Sequence, residues 1–574
     1  MSRGPQRSRL LALSAAFVIV VTACGGSATS SAPSAAPPAA STAPGAATAA
    51  APASQAPTST AGGGSLSIAF AADMQHLDPA LAYDTTSWSV TRMLYDQLVM
   101  YAENSTELIP GLAEAMPTVS TDGLTYTFKL RPGVKFIKGD GTVLRDMNAD
   151  DVVASINRIL DPKLKPNPSP VGSAFFNIID GAQAVLGGTA PTASGLVAVD
   201  PLTVQIKLAK PDKRLLPILA MGFGSVVPKE LAGQDTAAFE KAPVGTGPYY
   251  LESYKQGDKA VLKRNTQYWQ PDLPKTDSVE VRFLVEENTQ VQQAQTGQLD
   301  IMGEFLPSGV YSQITSDPTL TEQVKHRIDV ATFYVSMDTT DPKGVLSKVK
   351  VRQAINMAID KANVVKQYNG RGGVADCILP PAMPGYDAAC KPYTYDVDGA
   401  KKLLAEAGYP NGFETTMYSD TTEISKVSTL AIQQDLAKIG ITVKLVPQDF
   451  DVLLGTITVP HQAPLVFIGW FQDFPDPSDF FDPTLSCATA VPGSFNTAGY
   501  CNKAVDELGA KAIAEQDDTA RLAMYGEIQK MVMADAPWAP VFFNESVILT
   551  SDKVIGNPLH PTYPNDLPRI DVKE

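Results

Sequence analysis

Four aspartates recur at every third position: Asp473, Asp476, Asp479 and Asp482. They are interleaved with five rings, Trp470, Phe471, Phe474, Phe480 and Phe481, in the stretch GWFQDFPDPSDFFDP at 469–483. Three prolines exclude a regular helix through its first half, so the segment reads as a kinked loop. Carboxylates in this density could hold a metal, and a pair could carry acid–base chemistry as in a glycosidase. Neither use explains the rings, and core packing explains the rings but not the acids. A pocket for an amphipathic cation would use both. The spacing of three, without the glycine of an EF-hand, does not match a calcium loop. Four aspartates in one loop are also not how two catalytic carboxylates face each other across a sugar.

Other reactive constellations are absent from the sequence. It contains no GxSxG, no HExxH, no glycine-rich loop ending in GK and no GxGxxG. Gly245-Thr246-Gly247-Pro248 reads as a tight turn, because Pro248 removes an amide that a phosphate loop would need. The four histidines, at 76, 326, 461 and 560, lie far from one another and from the cysteines, and no CxxC occurs. The expectation is a protein that is not an enzyme and needs no metal or cofactor.

The N-terminus sets the compartment. Arg3, Arg7 and Arg9 precede an apolar run, Leu10 to Val21, that is too short to span a bilayer and reads as a signal-peptide core. Val21-Thr22-Ala23-Cys24 resembles a bacterial lipobox, which predicts cleavage after residue 23 and lipid on Cys24. A plain signal peptide with an incidental cysteine is the alternative. Residues 25–64 contain only Gly, Ser, Ala, Thr and Pro plus Gln55, so 24–64 reads as a tether with a reach on the order of 35 Å. Localisation on the outer face of the cell membrane, anchored by lipid without crossing, follows.

Roughly 510 residues remain beyond the tether, too many for one core, so two or three lobes are expected. The net charge of −15 argues against nucleic acid and is compatible with cationic ligands. Cys377, Cys390, Cys487 and Cys501 form two local pairs. In an exported chain their proximity favours Cys377–Cys390 and Cys487–Cys501, out of three connectivities.

Strand and helix periodicities alternate along the chain. Leu66–Phe70, Leu124–Leu130 and Leu202–Leu208 read as strands. Asn148 is placed to cap a helix carrying Val152, Ile156 and Ile159 on one face. Further helices are marked by Val351 to Ile359, by Leu403 to Ala407 ahead of Gly408, by Leu430 to Ile439 ahead of Gly440, and by Leu522 to Val532. Ile441 to Val446 then reads as a strand. The class is α/β.

Eight stretches in order carry a resemblance. They are Leu77-Asp78-Pro79, IPGLAEAMPTVSTDGLTYTFKLRPGVKF (109–136), NADDVVASINRIL (148–160), VGTGPYYLESY (244–254), RNTQYW (264–269), VKVRQAINMAIDK (349–361), AKKLLAEAGYPNGF (400–413) and GWFQDFPDPSDFF (469–481). Together they resemble the extracytoplasmic solute-binding proteins of ABC importers, in the dipeptide-, oligopeptide- and nickel-binding family. The resemblance implies a three-lobed, periplasmic-binding-protein-like fold of the large type II cluster. Lobe I would comprise 65–94, 241–324 and 546–574, lobe II the insertion 95–240, and lobe III 325–545. Ligand would lie between lobes I and III, and closure would be read by the permease subunits, with their cytoplasmic ATPases. A monomer is implied.

In peptide-binding members of that family, the aspartate three residues after the motif's tryptophan pairs with the peptide ammonium. That position here is Asp473, with Trp470, Phe471 and Phe474 as the wall of the pocket. Asp476 and Asp479 fit turns and caps instead. The resemblance also supports Cys487–Cys501, since dipeptide-binding relatives carry a disulfide at the matching place. Two departures bear on the ligand. The stretch MYSDTTEISKVS (417–428), where dipeptide binders place an arginine for the peptide carboxylate, has only Lys426 as a cation. Met337-Asp338 also replaces a familiar asparagine. A peptide is the expected ligand, with an oligosaccharide or a metal chelate as alternatives and an anchored hydrolase as a further one.

Overall fold

Ser65–Ala69 is a short strand whose last four residues are buried, as befits a parallel strand covered on both faces. It is described in a computed structural model that covers residues 63–573. The signal segment, Cys24 and the tether as far as residue 62 lie outside the described residues. The strand pairs in parallel with Ser278–Arg282 and with Ile301–Met302. Lys259–Arg264 and Tyr249–Lys255 complete a five-stranded mixed sheet.

A second sheet is antiparallel and four-stranded, in the order Thr118–Val119, Thr125–Lys129, Thr203–Lys207, Leu196–Asp200. Tyr126 and Phe128 point into its core and the alternate threonines do not, matching the alternation in the sequence. The helix Ala149–Leu160 packs on this core through Val152, Ile156 and Ile159. It begins at a capping box in which Asn148 accepts from the Asp150 amide and Asp151 accepts from the Asn148 amide.

The third sheet has six strands, in the order Gly373–Val374, Trp538–Leu549, Val324–Met337, Leu465–Phe471, Phe413–Ser419, Ile441–Pro447. Val324–Met337 and Trp538–Leu549 run antiparallel over most of their length. Thr550, just past the second strand, bridges to Ile301 of the first sheet, so this long pair physically joins the two sheets. The helix Glu423–Lys438 ends ahead of Gly440, whose φ of +85° reverses the chain into Ile441–Pro447.

Several of the quoted motifs turn out to be supports. Asp78 is fully buried and takes the Arg158 guanidinium at 2.5 Å and the Thr236 hydroxyl at 2.8 Å. Thr246, Tyr268 and Trp269 all donate to the buried Asp96, at 2.9, 2.9 and 3.2 Å, which ties VGTG and RNTQYW to one carboxylate. Gly245 lies so close to the helix Thr85–Leu94 that a Cβ there would sit 1.9 Å from the Leu94 carbonyl oxygen. Arg352 of VKVRQAINMAIDK donates to the carbonyls of Asp535 and Ala536, where the helix Asp518–Asp535 ends and its partial negative charge is exposed. Cys377 is bonded to Cys390 and Cys487 to Cys501.

Candidate ligand-binding site

Leu465–Phe471 sits beside Val324–Met337 in the third sheet, with Trp470 opposite Thr332 and Phe471 opposite Ala331. The strand ends at Phe471, and the prolines at 475 and 477 force a bend. A helix then forms over Ser478–Leu485 and tolerates Pro483 in its interior. The aspartate-rich segment is therefore a loop only in its first half, and the second half differs from the kinked loop read from the sequence.

The four aspartates have four different environments. Asp476 accepts the Ser478 amide and hydroxyl, and both its oxygens take Arg521 Nη2, at 2.7 and 2.6 Å. Both partners are buried, so this ion pair fixes the bend to the helix Asp518–Asp535. Asp482 receives Arg214 Nη1 at 2.9 Å, while Arg214 also grips Asp212. Burial pushes the Asp482 carboxyl up to about 6, against the pull of Arg214.

Asp479 does not cap its own helix. One of its oxygens accepts the Asp473 amide at 2.9 Å and the Trp470 indole N–H at 3.4 Å. The other is buried without a hydrogen bond. Asp479 thus holds the backbone of Asp473 and the ring of Trp470 in place. Asp473 itself accepts the Tyr83 hydroxyl at 2.6 Å, a bond that joins chain segments 390 residues apart. Among the described residues Asp473 has no cationic partner. Burial holds both Asp473 and Asp479 above the usual carboxylate range, and the charge of Asp473 raises Asp479 further.

A cavity of about 990 Å³ opens in front of this cluster. Trp470, Phe471, Asp473 and Phe474 all line it. Phe474 is buried and meets Phe175 edge-to-face at 5.5 Å. Phe471 is half exposed. Sequence reading missed Tyr83, Phe175 and Arg214, which also line the cavity and touch Asp473, Phe474 and Asp482 respectively. Each is an ordinary residue in its local context and joins the site only by long-range folding. The segment around Phe175 belongs with the core of the four-stranded sheet, so the 95–240 region supplies part of the wall. The walls carry Asp473, Asp479, Asp482 and Asp506 against Arg214 alone, and Arg214 is already engaged by Asp212 and Asp482. Such a cavity offers apolar ring surface and an unmatched negative charge to a ligand.

The family model for bacterial extracellular solute-binding proteins, family 5, matches residues 107–491. The glutathione-binding protein GsiB of Escherichia coli (strain K12) is 32% identical over 499 residues, a match that spans 85% of this chain and 91% of the relative. Among solved structures, the ABC transporter-associated periplasmic binding protein DppA of Helicobacter pylori, in complex with the peptide STSA, superposes with a TM-score of 0.73. It is 29% identical, and the match covers 90% of this chain and 99% of that one. A dipeptide-binding protein of Pseudoalteromonas sp. SM9913, in complex with Met-Leu, gives a TM-score of 0.71 at 26% identity, and the match covers 89% of this chain and 100% of that one. The chain belongs to family 5 of the bacterial extracellular solute-binding proteins.

Proposed function

We propose that the protein is the receptor of an ABC importer and captures a short peptide through its amino terminus. The observation that carries this reading is Asp473, a carboxylate without a cation at the edge of a ring-lined cavity. Its isolation is costly while the cavity is empty, and a ligand ammonium offsets that penalty. The rings exclude water and accept apolar side chains. The named ligands of the relatives, glutathione and short peptides, all carry such an ammonium.

Capture would work by closure. Lobe I (65–94, 241–324 and 546–574) and lobe III (325–545) would hinge about the long strand pair, with lobe II (95–240) adding the wall at Phe175. Tyr83 and Asp473, which meet across the cleft, would part when it opens. A ligand touching both sides favours the closed form by its differential affinity, and the permease would read that form. No step in this cycle makes or breaks a covalent bond. Binding is tested by calorimetry with apolar dipeptides and tripeptides, with and without an acetylated amino terminus. Binding of the free forms alone supports the reading, whereas equal binding of acetylated forms removes the ammonium from it.

The mature chain would begin at Cys24 and be held to the outer face of the membrane by lipid, as a monomer on a tether. Membrane fractionation of a Cys24→Ser variant checks this. A changed amount in the membrane fraction and a larger, uncleaved chain are the expected outcome, and an unchanged level and size there would contradict it.

A further inference from the structure

The cavity that Asp473 lines has a second, apolar end built largely from two helices. On the helix Phe450–Ile457, Leu453 and Ile457 are buried in a small core with Val466. Phe450 and Leu454, one turn apart, line the cavity instead. On the helix Lys503–Ala514, Asp506, Gly509, Ala510 and Ile513 line it, at the spacing of a single helical face. Phe495, in the loop closed by Cys487–Cys501, stands beside Trp470 and extends this wall. The Lys213 amide donates to the Ile513 carbonyl at 2.9 Å, so the 95–240 region abuts the end of the second helix. Phe450, Phe471 and Phe495 are 53, 50 and 48% exposed. Three rings left half in water within one concavity are apolar surface without a partner.

We propose that this end of the cavity is a subsite for a large apolar group. The solute class is then an amine-ended peptide with aromatic or long aliphatic side chains beyond its first residue. Its ammonium is held at Asp473, and its apolar body lies against Phe450, Phe495 and Ile513, over the gap left at Gly509. That glycine is not demanded by packing. Beyond the backbone of its own helix, a Cβ there would have only Ile528 Cδ1 within 4 Å, at an ordinary 3.9 Å. A glycine inside a helix is less stable than an alanine, so what this one supplies is room. The cavity of about 990 Å³ lies at the upper end of the usual range for small-molecule pockets, roughly 300–1,000 Å³, which is more than two small residues fill. Burying a phenylalanine side chain against this wall favours binding in proportion to the apolar area taken from water. A polar side chain of similar size loses hydrogen bonds to water there. Asp506, the polar side chain on that helix face, is already engaged by the Cys487 amide at 3.1 and 3.2 Å.

This inference rests on capture of an ammonium at Asp473, and the test separates the two. Ala-Phe-Phe, Ala-Gln-Gln and N-acetyl-Ala-Phe-Phe are titrated by calorimetry into the purified protein. The wild type is expected to bind Ala-Phe-Phe at least about tenfold tighter than Ala-Gln-Gln. Gly509→Leu fills the gap with a good helix former, and is expected to melt higher and to lose that preference to within about twofold. Phe450→Ser removes a half-exposed ring without crowding anything, and is expected to cut the preference at least about threefold at an unchanged melting temperature. Should Gly509→Leu melt lower, its side chain crowds the fold, and Phe450→Ser alone decides. Equal binding of Ala-Phe-Phe and Ala-Gln-Gln by the wild type, or a full preference in Phe450→Ser, overturns the subsite and leaves the ammonium reading standing. A full preference in a Gly509→Leu protein that melts higher overturns it as well. Acetylated peptide binding as tightly as Ala-Phe-Phe overturns the ammonium reading and leaves the apolar subsite standing. Binding of none of the three overturns both.

Discussion

Asp473, Asp476 and Asp479 are chemically identical and lie within seven residues, yet they do different work because their partners differ. Asp476 is neutralised by Arg521, so Asp476→Ala strands a buried guanidinium and should lower stability by about 3–5 kcal/mol, read in denaturant melts, with ligand affinity little changed. Asp473 has no such partner. Asp473→Ala should leave the empty protein's melting point nearly unchanged and weaken an amine-bearing ligand by about 2–5 kcal/mol, read by calorimetry. The raised carboxyls also give opposite pH trends. Between the ordinary value of about 4 and the raised one, about 6 for Asp482, the folded protein holds protons that the unfolded chain has released. Stability from these groups is therefore lost as pH rises through that window and gained as pH falls. Ligand binding runs the other way, because an ammonium needs Asp473 ionised. Acidifying from pH 7 to 5 should raise the melting point of the empty protein relative to Asp473→Asn, while affinity for the ligand declines.

At the scale of elements, two features tie the site to the frame. Cys487–Cys501 closes a loop that follows the aspartate-bearing helix and includes Phe495, a ring on the cavity wall packed 5.6 Å from Trp470. Replacing both cysteines by serine should lower stability by about 3 kcal/mol in the chain-entropy model, measured by thermal melts without reductant. Gly245 is needed because its backbone lies against the Leu94 carbonyl, so Gly245→Ala should destabilise by about 1–3 kcal/mol with the fold retained. Local pattern made these elements legible in part. The alternation at Tyr126 and Phe128, the cap at Asn148 and the stop at Gly440 are short-range signals, and each element formed where its own residues dictate. Asp479 was legible only as a turn residue, because its real partners are the Asp473 amide and the Trp470 indole, set by a bend whose geometry the prolines permit but do not specify.

For the whole molecule, the cavity is made by chain segments hundreds of residues apart, which is why one wall could be read and the other could not. Trp470 to Phe474 form a contiguous and unusual stretch. Tyr83, Phe175 and Arg214 become neighbours of it only after three sheets have assembled. If Tyr83 and Asp473 meet only in the closed form, small-angle scattering should show a smaller radius of gyration with ligand than without, and Asp473→Ala should need more ligand for the same contraction. The decisive measurement is mass spectrometry of the material released when protein purified under mild conditions is denatured, with wild type and Asp473→Ala side by side. Peptides with free amino termini should come from the wild type, and at least about tenfold fewer from the variant. A neutral sugar in the wild-type material, or equal peptide yields from both proteins, would contradict capture through Asp473.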